Sequence, residues 1–192
     1  MSKINAFTLL MEGTRAAAKA AKQKSTISRS ASSIPVSPPS TPSSPSTSPK
    51  KEFHHLLQFD GGSRGNPGIA GSGSVIYFGS SELWNRSVYL GDHHTNNYAE
   101  YYGLIIGLIG AKELQIRDLK IQGDSNLIIN QVTGKFNIKS ETLIPLHQRV
   151  LKELKHFDNV VFEHIYRNKN KRADELANIA MDKQMNADAC LL

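Results

Sequence analysis

The chain has 192 residues, 39% of them apolar, and a formal net charge of +6, enough for one domain of roughly 100 to 150 residues plus a tail. No run reaches the roughly 18 consecutive apolar residues of a membrane-spanning helix, and the lone cysteine, Cys190, excludes an internal disulfide, a thiolate zinc cluster and a prenylation box. The excess charge is local: residues 1–51 carry eight Lys or Arg against Glu12 alone and leave the remainder at −1, so long-range attraction for a polyanion belongs to the N-terminal segment.

That segment opens with "INAFTLLMEGTRAAAKAAKQK", a short apolar cluster followed by Ala/Lys helix formers. Residues 1–24 suit the groove of a protein partner or, being basic and nearly acid-free, import machinery. The stretch "KSTISRSASSIPVSPPSTPSSPSTSPKK" has too few large apolar residues to offset the entropy of ordering it. The expected division is therefore a disordered basic Ser/Pro-rich tail and linker over 1–51 and a folded domain over 52–192. A monomer without membrane attachment is expected. The single cysteine fits an intracellular setting, nucleus or cytoplasm, with the mitochondrion as an alternative address.

From residue 52 the hydrophobic period changes several times. "HHLLQF", "GSGSVIYF" and "NRSVYL" read as three β-rich runs separated by Gly-bearing turns. The first run is expected to stop at Asp60 and break into the turn "GGSRGNPG". "TNNYAEYYGLIIGLIGAKEL" has helical length, with Thr95 or Asn96 as N-cap. "LKIQGD" reads as a strand, "SNLIINQVTG" as a short helix closed by Gly134, and "ETLIPLHQRVLKELKHF" as a longer amphipathic helix. "NVVFEHIY" is a last strand and "KRADELANIAMDKQ" a last helix. Three antiparallel strands followed by two strand-helix units imply an α/β fold: one mixed five-stranded sheet, three antiparallel strands then two parallel, flanked by helices.

Four carboxylates stand out by position. Asp60 and Asp124 close two strands that would lie side by side if parallel, at the carboxyl edge where open α/β sheets bind ligands. Glu100 heads an apolar row continuing through Leu104 and Leu108, and therefore points toward the protein. Beside it, Ala99, Gly103, Gly107 and Ala111 form a stripe of small residues that lets the helix approach its neighbour. Asp174 opens the last helix. Each acid alone has a structural explanation in turn or helix-start chemistry, but four converging carboxylates repel unless cations neutralise them. Oxygen-only ligands select a hard divalent ion, Mg²⁺ or Mn²⁺.

The pieces "DGGSRGNPG", "TNNYAEYYGL", "GDSNLIINQVTG" and "HIYRNKNKRADELANIA", in this order, resemble type 1 ribonuclease H. The resemblance implies the ribonuclease H-like fold and a nuclease that cuts the RNA strand of an RNA/DNA hybrid, leaving a 5′ phosphate, with two Mg²⁺ ions (or Mn²⁺) held by Asp60, Glu100, Asp124 and Asp174. It further implies substrate contacts from Gly61, Gly62, Ser63, Asn66, Asn96, Asn97, Ser125 and Asn126, and a DNA-phosphate contact from Thr95. Near the last helix the family places a mobile histidine or an arginine. Here His164 has the spacing but lies in a β-rich run, so Arg167, which starts the loop, is the favoured catalytic assistant. "KFNIKSE" is too short for the extra helix and basic protrusion of some relatives, and no separate N-terminal hybrid-binding domain is visible, which leaves the basic tail as the substitute grip. The alternatives are a binding module of the same fold without catalysis and the detached domain of a retroelement polyprotein, which Met1 and the tail disfavour.

Overall fold

The computed structural model describes residues 52–183. The expected tail and linker over 1–51, its partner or import role, and Cys190 lie outside the described residues. The first strand, β1 (His55–Arg64), is longer than expected. It does not stop at Asp60 but stays paired with β2 (Gly68–Phe78) from His55↔Phe78 to Arg64↔Ile69. The turn is confined to Gly65–Pro67, with Gly65 at φ 118° and Asn66 at φ 30°. β3 (Ser81–His94) likewise extends beyond "NRSVYL" in both directions and pairs antiparallel with β2.

Helix α1 (Asn96–Glu113) begins as expected, the Thr95 side chain capping it by accepting from the Tyr98 amide at 3.2 Å. Then follow β4 (Asp118–Gly123), α2 (Asn126–Val132) and α3 (Ile144–Leu154), which starts later than "ETL" suggested because residues 141–143 form a turn ahead of Pro145. β5 (Asn159–His164), a single 3-10 turn at Arg167–Lys169 and α4 (Lys171–Lys183) complete the domain. The sheet order is β3-β2-β1-β4-β5, with β4 and β5 parallel to β1, the mixed five-stranded sheet that the sequence implies.

Alternation along β1 and β2 assigns the faces. Leu57, Phe59 and Ile76 join Tyr101, Leu104, Leu108, Ile121 and Val150 in the main core beneath α1 and α3. Val75 packs on Ala173 and Leu176 in a smaller core beneath α4. Two glycines set how closely the helices lie. A Cβ on Gly61 would sit 2.1 Å from the Ala99 carbonyl carbon of α1, and one on Gly73 would sit 2.3 Å from the Ala173 oxygen of α4. The glycines after Asp60 are thus not all turn residues. At least one admits helix backbone against strand backbone.

Hydroxyls use this proximity. Ser72 Oγ donates to the Ala99 carbonyl at 2.7 Å and Ser74 Oγ to the Gly103 carbonyl at 2.5 Å, both fully buried pairs from β2 to α1. On the other side Ser87 Oγ donates to the Leu176 carbonyl of α4 at 2.5 Å. No helix among the described residues is long and apolar enough to cross a membrane.

Candidate active site

The pairing of β1 with β4 ends at Gln58↔Gln122, while β1 continues with β2 past Asp60↔Gly73. A notch opens there between β1 and the end of β4. Asp60 projects from β1 into the notch, Asp124 follows the last residue of β4, and Glu100 enters from the first turns of α1. One carboxylate oxygen from each lies within 4.8 Å of the others. Asp60 is buried, and Glu100 and Asp124 are half-buried.

This grouping is electrostatically incomplete. Burial, followed by the charge of Asp124, pushes the Asp60 carboxyl up to about 7 despite the Gly61 amide donating to it at 2.7 Å. Burial, then Asp60 and Asp124, raises Glu100 well above the carboxylate range. Glu100 Oε2 is shielded from solvent and has no hydrogen-bond partner, a condition that costs free energy unless a cation or a proton satisfies it. A donor set of closely spaced carboxylate oxygens alone therefore fits a hard divalent ion.

Asp174 faces the same cavity of about 330 Å³ but is not within the close group. Its Oδ1 accepts from Arg167 Nη2 at 2.5 Å and its Oδ2 from Asn178 Nδ2 at 3.3 Å. The structure thus gathers three of the four expected acids closely, with the fourth lining the same cavity outside that group, paired to the expected arginine. The Arg167 side chain is 77% exposed, and its pairing with Asp174 holds its pKa above the usual guanidinium value. His164 ends β5, with its Nε2 3.1 Å from the Asp124 carbonyl and its ring edge-on to Tyr166. It is thus a strand-bound residue, as its position in the β-rich run suggests.

Most of the expected substrate contacts lie on β1, in the β1–β2 turn and at the start of α1, and Ser125 and Asn126 lie at the start of α2. Asn66 Oδ1 accepts from the Asn96 amide at 3.0 Å, and Asn96 Oδ1 accepts from the Ser63 amide at 2.6 Å, so the two asparagines lock the β1–β2 turn to the start of α1. Gly62 and Ser63 line the cavity, while Gly61 is also pressed against α1. Thr95 and Asn97 are exposed beside them. Ser125 precedes α2 without a side-chain cap bond, and Asn126 accepts from Asn130 Nδ2 at 2.8 Å.

Two residues escaped the sequence reading. Asn170 is fully buried, and its Nδ2 donates to the Phe59 carbonyl at 2.9 Å and to Asp124 Oδ1 at 3.1 Å, bridging the gap that β4 leaves beside β1. Asn178 holds Asp174 from one helical turn on. Its i+4 spacing was a usable signal. Nothing in "NKNK" distinguishes the buried Asn170 from its exposed neighbour Asn168.

Comparison with known proteins points one way. Residues 58–180 match the reverse transcriptase-like family. A bifunctional protein of Mycobacterium tuberculosis is 38% identical over 128 residues, 66% of this chain but only 35% of that protein. Ribonuclease HI of Halobacterium salinarum is 38% identical over 124 residues, 65% of this chain and 62% of that one. The chain thus spans about a third of the mycobacterial relative and under two thirds of the halobacterial one. The solved ribonuclease H1 of Halobacterium salinarum superposes with a TM-score of 0.65 at 37% identity, covering 67% of this chain and 98% of that one. LC11-RNase H1, solved in complex with an RNA/DNA hybrid, gives 0.64 at 38% identity, covering 68% and 98%.

Proposed function

The chain belongs to the type 1 ribonuclease H family, and on that premise we propose that it is an endoribonuclease that hydrolyses the RNA strand of RNA/DNA hybrids and leaves 5′-phosphate ends. The observation that carries this reading is the buried, under-neutralised group of Asp60, Glu100 and Asp124 at the sheet notch. With Asp174, which lines the same cavity, these acids would hold two divalent ions, Mg²⁺ or Mn²⁺. When bound, such ions supply Lewis acidity at a phosphodiester and a water acidic enough to act as nucleophile at neutral pH.

The protein's own groups position the substrate. The Asn66–Asn96–Ser63 lock fixes the wall of the cavity without charge, and neutral amides and hydroxyls suit contact with a nucleic-acid backbone regardless of sequence. Asn97 and Thr95 stand at the N-terminal end of an 18-residue helix, where amides and dipole favour a phosphate of the DNA strand. Arg167 cannot serve as a base at neutral pH. It can exchange part of its hold on Asp174 for a phosphate oxygen and stabilise developing charge there. The relative crystallised with RNA/DNA hybrid supports this substrate class.

The test uses end-labelled RNA/DNA, RNA/RNA, DNA/DNA and single-ribonucleotide duplexes with Mg²⁺, Mn²⁺ or EDTA. Cleavage of the hybrid's RNA strand, dependent on metal and absent in EDTA, is expected. Asp124→Asn should lower single-turnover cleavage by roughly a thousandfold, about 4 kcal/mol, without lowering the melting temperature. Hybrid binding without cleavage by the wild-type protein would establish the binding-module alternative instead.

A further inference from the structure

One step before the notch, the three parallel strands carry a polar row in register. Gln58 on β1 is opposite Gln122 on β4, and Gln122 is opposite Glu163 on β5. Gln122 Nε2 donates to Glu163 Oε2 at 2.5 Å, and Lys120 Nζ lies 2.7 Å from the same oxygen. An ionised carboxylate only accepts, so Glu163 fixes which way the Gln122 amide faces. Its Oε1 is turned to β1, where Gln58 Nε2 donates to it at 3.0 Å. The same Nε2 reaches the Lys169 carbonyl at 3.3 Å.

Lys169 closes the 3-10 turn that begins at Arg167, its amide donating to the Tyr166 carbonyl at 2.8 Å. On its other side the loop is pinned by Asn170 to the Phe59 carbonyl and Asp124. The turn is otherwise exposed, and a guanidinium on an untethered turn would have to be ordered at every turnover. We infer that the Gln58–Gln122–Glu163 ladder is a positioning device that seats the Arg167 turn over the cavity, so that Gln58 and Gln122 act on the reaction through Arg167 without touching substrate.

This inference rests on the nuclease reading, and the experiment separates the two. Gln58→Met keeps the length of the side chain and removes its donor. Single-turnover cleavage of a hybrid should fall about fivefold with hybrid affinity unchanged, and the same substitution should have no further effect in an Arg167→Ala background. In metal-free protein, amide hydrogen exchange at Lys169 and Asn170 should quicken. No loss of rate, an equal loss in the Arg167→Ala background, or unaltered exchange would each overturn the assignment. Gln122→Met, which frees the far end of Gln58, should act in the same direction with smaller effect and carries the test if Gln58→Met does not fold. Should the wild-type protein not cleave, the nuclease reading fails, and the exchange measurement still decides whether the ladder holds the turn.

Discussion

Asp60 and Glu100 keep their protons more readily in the folded domain than in the unfolded chain, and the sign of the consequence follows. A carboxyl raised from 3.8 to about 7 on folding stabilises the domain fully below its unfolded value, and that stability is lost as pH rises through about 7. The metal-free protein should therefore melt lower at pH 8 than at pH 5, on the order of 5 °C, and Mg²⁺ should restore the difference at pH 8 while doing little at pH 5. His147 and His156, whose imidazoles are lowered from 6.5 mainly by burial, act in the opposite sense at the acid end. The contrast between EDTA and Mg²⁺ in calorimetric scans isolates the carboxylates from them. A contrast independent of pH would mean that burial and neighbouring charge do not raise these carboxyls in the fold. The acids of this site were legible beforehand from their positions and from the family resemblance, although Asp60 sits within its strand and not at its end. The Arg167–Asp174 pair and the bridge by Asn170 were not, since both depend on how a short polar loop folds back over the sheet.

At the level of elements, the closest approaches of α1 and α4 to the sheet are made by glycine and serine, beside cores of large side chains. Gly73→Ala would drive a methyl into the Ala173 carbonyl of α4, a backbone atom that cannot turn aside. It should lower stability by roughly 1–3 kcal/mol in urea titration. Gly62→Ala on β1 meets only the flexible end of Met181 at 3.4 Å and should be close to neutral; equal losses at the two positions would refute the close-packing account. The order and type of the elements were readable from the sequence because each run keeps one period throughout. The lengths of β1 and β3 were not. "DGGSRGNPG" carries enough glycine to look like a turn from its second residue, yet Gly61 serves a helix on one side of the sheet, and ladder pairing carries the strand on to Arg64.

For the whole molecule, charge and chemistry sit in different places. Residues 1–51 hold the positive excess, whereas the remainder is at −1 and presents four acids to its proposed substrate. A protein comprising residues 52–192 should retain the single-turnover rate but bind hybrid more weakly at low salt, with a shallower dependence of log Kd on log salt. Equal slopes with and without the first 51 residues would refute a role for the tail in binding. Within the domain, the paired hydroxyl contacts from β2 to α1 constrain what motion remains. Ser72 and Ser74 stand two residues apart on the strand, and their acceptors Ala99 and Gly103 stand one helical turn apart, spans of about 6.7 and 6 Å. Two contacts of matched pitch oppose sliding of α1 along the sheet. Shear of packed helices, a common way for domains to open around a ligand, would have to break both contacts, so admission of the proposed duplex would fall to the rims of the cavity.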